Sequence, residues 1–315
     1  MKLVITIDTE EDNWGEYSSG GHRLENIGRI PRLQEVFDAY RARPTYLVTY
    51  PVATDEKSIA LLGEIARTGR CEIGMHCHPW NTPPFEEELN EKNSMLCNLP
   101  RDLQFRKLYV LHRTIRQNFG VNPVSFRSGR WGYDKGVEEN LCALGYQVDS
   151  SITPYIDWTD EYGPDFSEVP PQPFRSRPGD SSCSGLLEVP ATIGYLQQNF
   201  TQCNAVHKLL STRPINRLRL VGILYRLNLL NKVWLSPEQS DSGQMIALAA
   251  RMIKQKSAII NLFFHSTALK AGLTEYVRTG ADEERFLQQI ASFLEFTSNA
   301  GIESVTLSQA ATLVD

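Results

Sequence analysis

The chain has 315 residues and a mass of 35.6 kDa, with 41% hydrophobic and 22% charged residues, the composition of a globular protein with volume for a dry core. A formal charge of -5, from 32 basic and 37 acidic residues, argues against a broad phosphate-neutralising face and so against a nucleic-acid binder. No apolar run approaches the roughly 20 residues that span a bilayer. The opening MKLVITIDTEED lacks the apolar core of a secretory signal, so a cytoplasmic location is expected.

In chain order, residues 3–7 read as a strand that runs into acids. Residues 31–41 carry Leu33, Val36, Phe37 and Tyr40 at helical spacing behind a proline suited to a helix start. Residues 44–50 form the next strand, residues 59–66 a helix stopped by Gly69, and residues 71–75 a third strand that leads into His76. A helix over 102–118, a strand at 124–126, a helix over 137–144 halted at Gly145 and a strand at 146–148 continue the alternation. Residues 152–185, rich in Pro, Ser, Asp and Gly, are expected to form an irregular excursion rather than a linker. Beyond it come a strand at 186–189, helices across 205–230 and 242–254, a strand at 258–264, a helix over 283–298 and a strand at 302–305. Some seven or eight strand–helix repeats imply parallel strands with crossover helices, an α/β sheet or barrel in one domain over 1–315. The six cysteines, Cys71, Cys77, Cys97, Cys142, Cys183 and Cys203, show no metal-ribbon spacing and are expected as buried or free thiols.

Polar residues at the carboxyl ends of parallel strands are where such folds place their sites. Four clusters fall there. In Asp8-Thr9-Glu10-Glu11-Asp12 a period of two sets Asp8, Glu10 and Asp12 on one side, and crowded carboxylates call for a cation or a basic partner. In His76-Cys77-His78 the same period aims two imidazoles together, a pair suited to Zn²⁺ or a similar ion. With one carboxylate from the first strand they make a three-ligand site with room for water. Arg127, after the fourth strand, can hold a carboxylate ionised. His265 ends the most apolar strand of the C-terminal half and suits a general acid. His22, His112 and His207 stand in loop or helix contexts and read as structural or exposed.

The ordered set, an acidic cluster after the first strand, EIGMHCH, FRSGRWG, EVP at 188–190 and FFHS near the end, resembles the polysaccharide deacetylases, the NodB-homology or carbohydrate esterase family four proteins. Their WalW-like branch, associated with lipopolysaccharide biosynthesis, is the most similar. The resemblance covers nearly the whole chain and implies a distorted (β/α)7 barrel that uses a divalent metal, usually zinc, to remove acetyl groups from N-acetylated sugars. Carried over by position, Asp8 matches the base, His76 the first metal histidine, Arg127 the arginine that steadies the base, and His265 the acid that protonates the leaving amine. The chain departs from the pattern twice. The family's adjacent Asp-Asp is here Asp8-Thr9-Glu10, so Glu10, or failing it Asp12, becomes the metal carboxylate. The second histidine, expected four residues after the first, is Trp80; His78 takes the metal role on strand geometry. Trp80, Trp131, Tyr133 and Trp158 are candidates for stacking on a sugar. An acetylated sugar or glycan precursor is the expected substrate. Two other readings share the fold: a hydrolase of a small or cyclic amide, and a non-catalytic glycan-binding or assembly protein.

Overall fold

The apolar run behind Met1 forms β1 (Lys2–Thr9), buried from Leu3 onward, as a strand covered on both faces must be. The computed structural model describes residues 1–176, 185–213 and 215–313. The remaining strands are β2 (Thr45–Val48), β3 (Glu72–Cys77), β4 (Ser125–Ser128), β5 (Val148–Asp149) and β6 (Phe174–Arg175). They are followed by β7 (Leu187–Glu188), β8 (Ile193–Tyr195), β9 (Lys232–Trp234), β10 (Ile259–His265) and β11 (Glu303–Ser304). Among the described residues seven strands run parallel in the order β10-β1-β2-β3-β4-β5-β7, with antiparallel β6 on the outer edge and β11 paired to the start of β1.

No ladder joins β7 to β10 directly. The antiparallel pair β8–β9 and the chain before it fill that seam. Thr192 N–H donates to Asn261 O at 3.4 Å, Leu235 N–H to Thr192 O at 2.8 Å, and Phe263 N–H to Leu235 O at 3.1 Å. The result is an α/β fold, a distorted (β/α)7 barrel. Its helices cover the outside with one apolar stripe each: Leu103, Leu108, Leu111 and Ile115 are the buried side of the helix Arg101–Phe119.

Local chemistry explains where the observed ends depart from those expected. The helix read as 59–66 begins at Glu56 because Asp55 accepts the Ser58 N–H, and the helix read as 283–298 begins at Gly280 because Thr279 and Asp282 form a capping box. The helical stretch 205–230 divides into Phe200–Ser211, capped by Asn199, and a short helix Leu220–Arg226. The third strand extends to Cys77, two residues further than its apolar pattern, because His76 and Cys77 pair with Arg127 and Ser128 of β4. The described part of the excursion is irregular apart from β6 and the turn Thr159–Glu161.

Cys71, Cys77, Cys97 and Cys203 are free thiols, as expected. Cys142 is not: it is disulfide-bonded, which corrects the reading of thiols throughout. Cys183 lies outside the described residues. No helix among the described residues is long and apolar enough to cross a membrane.

Candidate metal centre

Parallel register carries the polar ends of β1, β3, β4 and β10 to one rim. Asp8 stands opposite His265, and His76 opposite Arg127. Glu10 follows β1, its N–H donating to Ser266 Oγ at 3.1 Å and its carbonyl accepting Asn26 Nδ2 at 2.9 Å. His78 follows β3 with extended backbone, φ -99° and ψ 127°, so the period of two persists past the strand's last ladder pair. The His76 and His78 rings therefore point the same way, their centroids 4.5 Å apart. Gly129 makes this possible: a Cβ there would lie 2.1 Å from His78 Cδ2 and 2.8 Å from Cys77 O.

The acidic cluster divides by partner. Glu11 is used up by Asn81 Nδ2 at 2.7 Å and Thr49 Oγ1 at 3.1 Å. Asp12 accepts the Glu25 and Asn26 backbone N–H groups at 3.1 and 3.0 Å and Asn26 Nδ2 at 2.7 Å, so it holds the loop. Asp8 Oδ1 receives Arg127 Nη1 at 2.7 Å. Among the described residues nothing hydrogen-bonds to either buried carboxylate oxygen of Glu10 or to the buried His78 Nδ1. Buried polar atoms left bare are costly and ask for a missing partner.

Glu10 Oε2 lies 3.7 Å from His76 Nε2 and 3.6 Å from His78 Nε2. These gaps are too long for hydrogen bonds. They suit two ligands of one ion, since bonds of about 2.1 Å in a tetrahedron place ligand atoms about 3.4 Å apart. Glu10, His76 and His78 are the group among the described residues whose donor atoms converge in this way. His76 Nδ1 donates to Arg127 O at 3.0 Å, which fixes the ring with Nε2 directed toward Glu10. The donor set, two imidazoles and one carboxylate, fits zinc or a similar divalent ion.

Behind the centre, Arg127 is fully buried and each of its three guanidinium nitrogens has a partner. Besides Asp8 it donates to Thr6 Oγ1 at 2.6 Å, Ser150 Oγ at 3.0 Å and Ser150 O at 2.8 Å. Across it, His265 Nε2 stands 3.7 Å from Asp8 Oδ2, while its Nδ1 faces Glu238 Oε2 at 3.0 Å.

The surroundings tune these groups apart. Burial pushes Glu10 up to about 7 against the opposing pull of His265 and His76. Burial also works to raise Asp8, but Arg127, His76 and His265 prevail and hold it below the usual carboxylate range. Burial and the neighbouring cations His76, His265 and Arg130 hold His78 well below its ordinary value, so it is a neutral imidazole. Burial opposes the charge on His265, yet Glu238, Glu10 and Asp8 raise it to about 10.

The centre opens into a cleft of about 700 Å³. Trp14, Trp131, Trp158 and Trp234 line it, together with Arg130 and Glu238. Arg130 and Trp131 both hold left-handed backbone, φ 51° and 60°, a strain expected where structure is committed to a site. Trp131 thus reaches the cleft. Trp80 and Tyr133 do not, which corrects their reading as sugar-stacking residues. Trp80 is buried against the His78 ring at 4.1 Å, and Tyr133 is buried in the core beneath the rim. Both are wide enough to pack an interior that their sequence positions could not reveal.

Trp14 and Glu238 escape sequence reasoning. Trp14 lies parallel to the His265 ring, centroids 5.9 Å apart. Glu238 follows β9, a three-residue strand too short to show a pattern. The available signal was that Glu238 is the first acid after Glu188.

No family model matches the sequence, and no curated protein does. Three solved structures show what the fold is similar to. A Mycobacterium smegmatis protein assigned as a polysaccharide deacetylase aligns at TM-score 0.56 and 16% identity, over 99% of this chain and 90% of its own. An allantoinase, Puue, aligns at 0.54 and 11%, over 99% and 89%. The 4-alpha-glucanotransferase of Thermococcus litoralis aligns at 0.53 and 12%, over 99% of this chain but 40% of its own. At these identities the likeness is one of fold.

Proposed function

We propose that this chain is a metal-dependent N-deacetylase of the polysaccharide deacetylase family, hydrolysing the acetamido group of an amino sugar or glycan precursor in surface polysaccharide or lipopolysaccharide biosynthesis. The whole of 1–315 acts in this reading as one catalytic unit. The observation that carries it is the division of labour between two buried carboxylates: Glu10 bare beside two imidazoles, Asp8 separately clamped by Arg127.

Glu10, His76 and His78 would hold the ion, zinc by the character of the donors. A divalent ion there supplies a water of lowered pKa and polarisation of the acetyl carbonyl. Asp8, kept ionised by Arg127, accepts the attacking water's proton at Oδ2. His265 donates a proton from Nε2 to the departing nitrogen, so that the C–N bond breaks to give acetate and a free amine. Glu238 holds His265 Nδ1–H and keeps Nε2 directed inward. Trp131 and Trp158 offer faces to the sugar ring.

The test is acetate release from N-acetylated sugars and oligosaccharides by the zinc-loaded protein. Expected is release that stops on chelation and returns with zinc. A protein that binds no zinc and releases no acetate would support the non-catalytic reading. The fold likeness to an allantoinase supports the second reading, hydrolysis of a small cyclic amide. Turnover of such amides with none on acetylated sugars would decide for it. The disulfide at Cys142 favours an oxidising compartment over the cytoplasmic location expected from sequence.

A further inference from the structure

We propose that the excursion between β8 and β9 is a docking surface for a bilayer containing anionic phospholipid. No acidic residue occurs between Glu188 and Glu238, in a chain whose overall charge is negative, while Lys208, Arg213, Arg217, Arg219, Arg226 and Lys232 all fall in that interval. The turn Ile215–Leu218 and the helix Leu220–Arg226 contain no buried residue. Leu209, Leu218, Leu227 and Leu229 are 59–64% exposed, and Ile223 is 50% exposed. Single exposed leucines are ordinary; five large apolar side chains on one excursion are the mark of a contact surface.

The charges select the occupant. Arg213, Arg217, Arg219 and Arg226 are exposed and make no side-chain hydrogen bond or ion pair with another described residue, whereas Lys208 is paired with Glu168. A second copy of this surface would bring like charges together, and a purely apolar partner would leave the arginines unmatched. Anionic lipid satisfies both features, with leucines entering the acyl boundary and guanidinium groups meeting phosphates. The rest of the chain carries every acid and is repelled by such a surface, so docking has one orientation. The excursion leads directly into β9, whose Trp234 lines the cleft. This inference requires nothing of the metal centre.

The test is co-sedimentation of the whole protein with vesicles of phosphatidylcholine, alone or mixed with phosphatidylglycerol. Expected is binding to the mixed vesicles only, weakened by salt. The triple substitution R217Q/R219Q/R226Q should lower partition about a hundredfold, at about fivefold per charge. The substitution L218S/L227S should weaken binding on its own, with the melting temperature unchanged because neither leucine is buried. Equal binding to both vesicle types, no binding to either, or no effect of the triple substitution would overturn the proposal. So would a dimer in sedimentation velocity that L227S dissociates, or capture by polyaspartate as strong as by vesicles. Metal binding measured on the same variants stays unchanged if only the docking surface is affected.

Discussion

Asp8 and Glu10 are alike in chemistry and in strand phase, yet one has an arginine and the other has nothing to pair with but two imidazoles. From that difference Asp8→Asn should leave zinc affinity in calorimetry nearly intact and lower kcat by about 10²–10⁴, the span of a lost general base. Glu10→Ala should abolish zinc binding, and Asp12→Asn, which touches only loop donors, should not. Because Glu10 holds a proton up to about pH 7 in the metal-free protein, zinc must displace that proton below this pH. Affinity should therefore fall at least tenfold per unit as pH drops from 7, measured by competition with a chromogenic chelator; a flat profile would remove Glu10 from the site. Glu238→Gln withdraws the largest contribution that raises His265, so the alkaline limb of kcat should move to lower pH. A purely structural Glu238 would change stability and leave that limb in place.

The elements show why strand ends were legible and strand seams were not. Each apolar run of β1, β3 and β10 stops at polar residues, and parallel strands put those stops on one rim, so Asp8, Glu10, His76 and His265 could be picked out before any contact was known. The pair β8–β9 could not be read: three residues per strand carry no periodicity, they pair with each other across a long stretch of sequence, and their flanking residues Thr192 and Leu235 bond to β10, far away in sequence. Tight packing between elements was equally hidden. Gly129 begins the turn after β4, and its missing Cβ is the space the His78 ring occupies. Gly129→Ala should cost about 1–3 kcal/mol in chemical denaturation through overpacking. It should also weaken zinc binding, because backbone at Cys77 leaves the ring as the part that must move. Full zinc affinity in a correctly folded Gly129→Ala protein would show that His78 is dispensable for the metal.

Taken whole, the molecule concentrates costly buried charge on one side of the barrel. In the folded chain Glu10 is protonated up to about 7, against an ordinary 4.5, so its contribution is complete below pH 4.5 and is lost as pH rises toward 7, by about 3 kcal/mol. His76 and His265, both raised, act in the same sense at higher pH; His78, depressed, acts oppositely, and only below pH 6.5. The buried pair Asp149 and Glu188, raised by desolvation, adds to the alkaline loss. Metal-free protein should thus melt at lower temperature at pH 8 than at pH 5.5, and the increment from zinc should be larger at pH 8. A metal-free melting temperature that rises over this interval would contradict the buried, unpaired state of Glu10. The amino-acid order by itself determined the alternation of strand and helix, and with it which titratable residues reach the rim, because periodicity and apolar run length are local properties. Only the tertiary structure decided that Glu10 rather than Asp12 stands beside the histidines, that Glu238 holds His265, and that Trp131 faces the cleft while Trp80 is buried. Those outcomes depend on depth and on partners distant in the chain, which a local pattern of polar and apolar residues does not record.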